Sequence, residues 1–121
     1  MKSICILEIK VSDMEEARRF YCDQLGLRVK NENYLPTVLV LEHDGPDLIL
    51  HTASKPAEIN YPDTSMSMLI FQVDDIEALA ADFKAKGITI EEGPRPSPPG
   101  AFMAFRDPFG NVHAAVELNS E

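Results

Sequence analysis

The chain has 121 residues, 45% hydrophobic and 26% charged, which suits one compact domain of residues 1–121 with its own core. Its formal net charge of −9 makes nucleic-acid backbones and anionic membrane surfaces poor partners, because like charges repel, and makes a cationic ligand a better one. No stretch approaches the ~20 apolar residues that span a bilayer. The opening MKSICILEIKVSD carries neither a basic n-region nor a small-residue cleavage site, so the expected location is the cytoplasm. Cys5 and Cys22 have no motif spacing and define neither a disulfide framework nor a zinc site.

Taken in chain order, the first segment alternates across Leu7, Ile9 and Val11 with the period of a strand buried on one face. Asp13 stands where an N-cap belongs, with Glu16 three residues on, as in a capping box. Met14, Ala17, Tyr21 and Leu25 then recur at helical spacing, and Gly26 occupies the stop position. Three strand-like runs follow: LRVKNENY, TVLVLEH and, after the turn Asp44-Gly45-Pro46, DLILHTA. Residues 55–65 (KPAEINYPDTS) are polar and hold two prolines, as a surface linker would.

The pattern then repeats. Ile6 to Gly26 and Met68 to Gly87 share a strand ending at Val (Val11, Val73), an acidic residue two positions on (Asp13, Asp75), a helix and a glycine. The two copies stay in step until a single-residue gap inside the helix. Asp74 or Asp75 caps the second helix, whose apolar face is Ile76, Leu79, Ala80 and Phe83. After it come ITIEEG, AFMAFR, the turn DPFGN and VHAAVEL; GPRPSPPG, with four prolines in eight residues, reads as an extended loop. The fold class is therefore α+β: two βαβββ modules, residues 1–54 and 66–121, forming a curled mixed sheet with the helices outside.

On VSDMEEARRFYCDQLGLRV and DPFGNVHAAVEL the sequence resembles the vicinal-oxygen-chelate superfamily, which includes glyoxalase I, extradiol dioxygenases, and fosfomycin- and bleomycin-resistance proteins. The first segment matches its V-x-D…FY…LG-L pattern and the second its D-P-x-G-N turn. The resemblance covers about Ile4 to Leu118. It implies one divalent metal in the cup of the sheet, held by His, Gln or Glu from the first and last strands of each module. Projected here, those positions are Ile6, Ile49 or Leu50, Met68 and Ala114, none of which offers a nitrogen or charged oxygen. Relatives that lack the metal set are often binding proteins whose cup is apolar, and many are homodimers with the pocket at or near the interface. The expected function is accordingly metal-independent small-molecule binding, with sequestration of a toxic or antibiotic compound as one form, in a homodimer with no cofactor. The alternative is a metal-dependent lyase, isomerase or dioxygenase that uses ligands outside the projected set, such as Glu8, His51 and Glu117.

Strand parity gives the rest of the expected ligand-facing residues. If Leu7, Ile9 and Val11 pack under the helix, Ile6, Glu8 and Lys10 face the cup, as do Met68, Ile70 and Gln72, and Ala114 and Val116. Glu8 either pairs with Lys10 at the rim or serves as a base or a cation receptor. His51 faces the cup if Ile49 is the ligand-equivalent position and the helix layer if Leu50 is. His113 reads as structural and His43 as exposed. Only one of Phe102 and Met103 faces the pocket. Tyr34, Tyr61, Phe102 and Phe109 lie near the expected cup mouth and either stack on a planar ligand or close the core, the latter being expected of Phe109, and Arg106 steadies the DPFGN turn.

Overall fold

A computed structural model describes residues 1–119; Ser120 and Glu121, the end of the expected second module, lie outside the described residues. Its contacts divide the chain into two compact units, Met1–Ala57 and Glu58–Glu121, with the boundary inside the polar 55–65 stretch. Each unit holds one four-stranded mixed sheet and one helical segment, in the order β-α-β-β-β. Among the described residues no helix is long and apolar enough to cross a membrane.

In the first unit, β1 (Ile6–Val11) leads through Asp13 into α1 (Met14–Arg18) and a π-helical turn (Arg19–Gln24). The Asp13 side chain accepts from the Glu16 backbone N–H at 3.0 Å, satisfying an N-terminal donor that the helix itself cannot. The Leu25 N–H reaches back five residues to the Phe20 carbonyl (2.9 Å), which marks the π turn. This turn takes up the extra residue that separates the two copies of the repeat. It also lets the adjacent Phe20 and Tyr21 both turn into the core, edge-to-face at 5.0 Å.

β2 (Arg28–Asn31), β3 (Val38–Glu42) and β4 (Asp47–Thr52) complete the sheet in the order β1-β4-β3-β2, with β1 and β4 parallel. β2 is shorter than the expected LRVKNENY. The Asn31 side chain accepts from the Asn33 N–H at 2.7 Å, a local turn that competes with the ladder and ends the strand. Helix α1 packs on β4. On the covered face lie Val11, Leu39, Leu41, Leu48 and Leu50, all essentially without exposed surface.

The second unit repeats the plan with β5 (Ile70–Gln72), α2 (Ile76–Lys86), β6 (Ile90–Ser97), β7 (Gly100–Arg106) and β8 (Val112–Leu118), in the order β5-β8-β7-β6. Asp75 is the cap, accepting from the Ala78 N–H at 3.0 Å, and Gly87 ends α2 in the left-handed conformation. Phe83 of α2 meets Phe105 of β7 at 4.9 Å, and His113 lies edge-on to both Phe105 and Phe71.

GPRPSPPG is not the extended loop that its prolines suggest. Residues through Ser97 continue β6, pairing Arg95 with Phe102 and Pro96 with Ala101. β6 is the edge of its sheet, where a proline's missing N–H costs no ladder bond on the outer side. Gly93 is required at the register shift: its φ is +85°, and a Cβ there would lie 2.5 Å from the Phe102 carbonyl oxygen.

The β7–β8 turn is built on buried Asp107. Its carboxylate accepts from the Phe109 N–H (2.9 Å), the Asn111 N–H (2.8 Å) and the Asn111 side-chain amide (2.8 Å). Arg106 adds a bond to the Gly110 carbonyl at 3.0 Å, and Phe109 is buried beneath the turn. Asp107→Ala leaves these donors without their acceptor and is expected to lower stability by about 2–3 kcal/mol, read from the urea midpoint at constant slope.

His113 makes stability acid-sensitive. Burial pushes its pKa from the ordinary 6.5 down to about 4, with the Asp107 carboxylate opposing the shift. Above pH 6.5 the imidazole is neutral in folded and unfolded chains alike. Between pH 6.5 and 4 the unfolded chain takes up a proton that the folded one refuses, so stability falls across that window and this contribution levels off below it. His113→Phe, which keeps a ring against Phe71 and Phe105, is expected to flatten the fall in urea midpoint between pH 7 and 5. An unchanged slope would show that other groups govern it.

Candidate functional site

The β1–β4 register arranges the uncovered face of the first sheet. Ile6 stands beside Asp47, Glu8 beside Ile49, and Lys10 beside His51; across β4, Val40 pairs with Ile49 and Val38 with His51. Alternation leaves Ile6, Glu8 and Lys10 exposed on this side, while Leu7, Ile9 and Val11 turn towards the helix layer. Two apolar neighbours in DLILHT could each have been the ligand-equivalent position. The structure separates them: Ile49 and His51 share the uncovered face, and Leu50, expected among the ligand-facing residues, has no exposed surface and lies with Leu39 and Leu48 on the covered one.

Over this face lies a hollow of about 560 Å³ walled by Ile6, Val38, Val40 and Ile49. Tyr34 and Thr37, from the turn before β3, and Asp47, at the start of β4, complete its lining. Tyr34 is among the exposed large side chains. The Asp47 carboxylate is held by the Lys30 ammonium at 2.7 Å, which raises the lysine's pKa by that bond.

Beside the hollow sits a polar cluster. The Lys10 ammonium donates to His51 Nδ1 at 2.5 Å and lies 3.6 Å from Glu8, and Glu8 is 3.9 Å from the same imidazole nitrogen. Glu8 is an exposed carboxylate next to Lys10, on the same sheet face as Ile49.

In the second unit, Ile70 pairs with Ala114, Val116 with both Gln72 and Phe102, and Ala104 with Ala114. Ile70 is 57% exposed and Met68 and Val116 partly so, whereas Ala114 has no exposed surface. Phe102 lies opposite in parity to the fully buried Met103, so it is the one of the pair that faces away from the core. Its ring carries the Arg95 guanidinium 5.1 Å from the centroid. Glu92 accepts from Arg95 at 3.2 Å and from the Tyr61 hydroxyl, so Tyr61, in the polar 55–65 stretch, is tied to β6. The Arg95 and Tyr61 bonds hold Glu92 below the usual carboxylate range, and burial, together with that carboxylate, pushes Tyr61 up to about 12.

The donor set does not fit the divalent ion that the resemblance implies. Ile6, Ile49, Met68 and Ala114 offer hydrocarbon and one thioether, and a hard or borderline dication needs oxygen or imidazole ligands. Glu117, a candidate in the alternative ligand set, accepts from the Ile76 N–H at 2.9 Å and so caps α2 on the face opposite Val116. Glu8 and His51 remain as a pair, but with an ammonium bonded to the imidazole. Among the described residues no group of three or more His, Cys, Asp and Glu is arranged to hold a metal. Cys22 is half-buried, and burial raises its thiol pKa, which disfavours the nucleophilic thiolate.

Comparison with known proteins agrees with this architecture. Among solved structures, that of SMU.1112c is 27% identical with a TM-score of 0.80, covering 95% of this chain and 98% of its own. TnmS3, an antibiotic binding protein from Streptomyces sp. CB03234, is 24% identical with a TM-score of 0.74 and 98% of both chains covered. A lactoylglutathione lyase from Agrobacterium tumefaciens is 23% identical with a TM-score of 0.72, covering 97% of this chain and 94% of its own. No curated protein matches the chain. The family model for the Glyoxalase/Bleomycin resistance protein/Dioxygenase superfamily matches residues 4–114, and the chain belongs to that superfamily.

Proposed function

We propose that the protein binds a small, largely apolar molecule without a metal ion, on the uncovered face of the Met1–Ala57 unit. The observation that carries this reading is the hollow itself: its walls are Ile6, Ile49, Val38 and Val40, and Ile6 and Ile49 are among the positions onto which the resemblance projects metal ligands. Replacing oxygen and nitrogen donors by isoleucines turns a coordinating site into one that gains from excluding water. The volume, about 560 Å³, lies within the range of small-molecule pockets. Solved proteins of the same fold include an antibiotic binding protein and a lyase, so the fold admits both binding and catalysis, and the chemistry of the walls favours binding. Sequestration of a toxic or antibiotic compound by a cytoplasmic homodimer is the physiological form of this reading.

Untagged protein grown with added divalent metals and purified without chelator is expected to carry well below one equivalent of metal. Its melting temperature should be the same with and without a chelator. Near one equivalent of iron, manganese, nickel or zinc would overturn the reading in favour of a metal enzyme. In a thermal-shift screen of apolar compounds, a ligand at a hundred times its Kd should stabilise the protein by about 2.7 kcal/mol. Ile49→Trp, which fills the hollow, should abolish that shift.

A further inference from the structure

The polar cluster beside the hollow specifies what kind of apolar molecule fits. An ammonium group only donates, so the 2.5 Å contact from Lys10 to His51 Nδ1 makes that nitrogen the acceptor. The imidazole proton is then on Nε2, and the ring presents a hydrogen-bond donor. His51 pairs across the sheet with Val38, a wall of the hollow, and stands on the same uncovered face, next to the lining residues. Glu8 lies 3.6 Å from the Lys10 ammonium and offsets its charge, leaving the three side chains with no net charge while the imidazole is neutral. A full anion at this spot would meet the field of a chain carrying −9. A full cation would have to approach Lys10. A neutral oxygen acceptor faces neither cost.

We propose that the hollow recognises uncharged apolar compounds bearing a carbonyl oxygen, and that the His51 Nε2–H donates to that oxygen. Lys10 is a positioning residue that fixes the imidazole tautomer. The inference rests on the binding reading above and adds the ligand's polar end to it.

The probes are naphthalene and 2-acetonaphthone, which share an aromatic body and differ by the acetyl group, with (2-naphthylmethyl)ammonium as the cationic counterpart. Each is titrated into ¹⁵N-labelled protein and followed by amide shifts of the hollow's residues. The wild type is expected to bind 2-acetonaphthone about five- to tenfold tighter than naphthalene, the gain of one hydrogen bond. His51→Phe keeps a flat ring without the donor and should bring that margin below twofold. In the imidazole ¹⁵N spectrum, tractable with three histidines, His51 should show a protonated Nε2 and a bare Nδ1. Lys10→Met should mix the two tautomers and shrink the margin, an effect that lost packing alone would not produce. Equal binding of naphthalene and 2-acetonaphthone to the wild type, or a margin that survives His51→Phe, would overturn the carbonyl inference and leave the apolar binding site standing. Tightest binding by the ammonium probe, lost in Glu8→Gln, would overturn it in favour of cation recognition. Failure of all three probes to bind would remove both this inference and the binding reading beneath it.

Discussion

The period-two alternation of β1 and β4 is the constraint on which the rest of the first unit depends. Once α1 covers one face of these strands, Leu7, Ile9, Val11, Leu48 and Leu50 are committed to it, and every intervening side chain must stand on the other. A slip of one residue would bring Glu8, Lys10 and His51 into the layer beneath the helix, where three polar groups would lose their water. Burial on one side thus fixes the composition of the other. The hollow's walls are the complement of the core, drawn from the same strands.

That constraint explains which parts of the fold were legible. The first strand, LEIKV, alternates cleanly, so its facing could be read from five residues. DLILHT presents consecutive apolar residues, because Ile49 lines a hollow while Leu48 and Leu50 fill a core, and periodicity cannot rank two kinds of apolar surroundings. The caps at Asp13 and Asp75 and the DPFGN turn were legible because their hydrogen bonds are local, between residues at most four apart. The π turn appeared in the sequence only as a one-residue gap in the repeat. Its cause, the i to i−5 bond from Leu25 to Phe20, became visible with coordinates.

The proline-rich segment illustrates the opposite failure. Local rules make GPRPSPPG a poor strand, and they are right about a central strand. Whether a strand is central or at an edge is a property of topology, and at the edge of the β5-β8-β7-β6 sheet the prolines present no N–H that a neighbour needs. The Lys10–His51 bond was hidden for a similar reason: 41 residues separate the partners, and only the parallel pairing of β1 with β4 brings them together. Sequence parity could place Lys10 and Glu8 on one face, but the strand beside them had to be known before a tautomer could be assigned.

Isoleucines at the projected ligand positions do not by themselves leave a site empty of electrostatics. A bound dication would orient a ligand through its charge and demand buried anionic or imidazole donors around it. Isoleucines at those positions remove that demand, and with it the reason for a carboxylate cluster in the cup. What remains is Glu8, Lys10 and His51 at the margin, all partly exposed, so solvent screens them and their desolvation cost stays small. Such a group contributes little to folding, yet in the proposed tautomer it would hold a directed donor next to an apolar wall. Apolar walls select by shape and tolerate many occupants; a single oriented N–H rejects those without an acceptor to meet it, because binding them would leave it buried and unpaired. On the proposed binding reading, selectivity would therefore reside in the margin of the cup, and affinity in its walls.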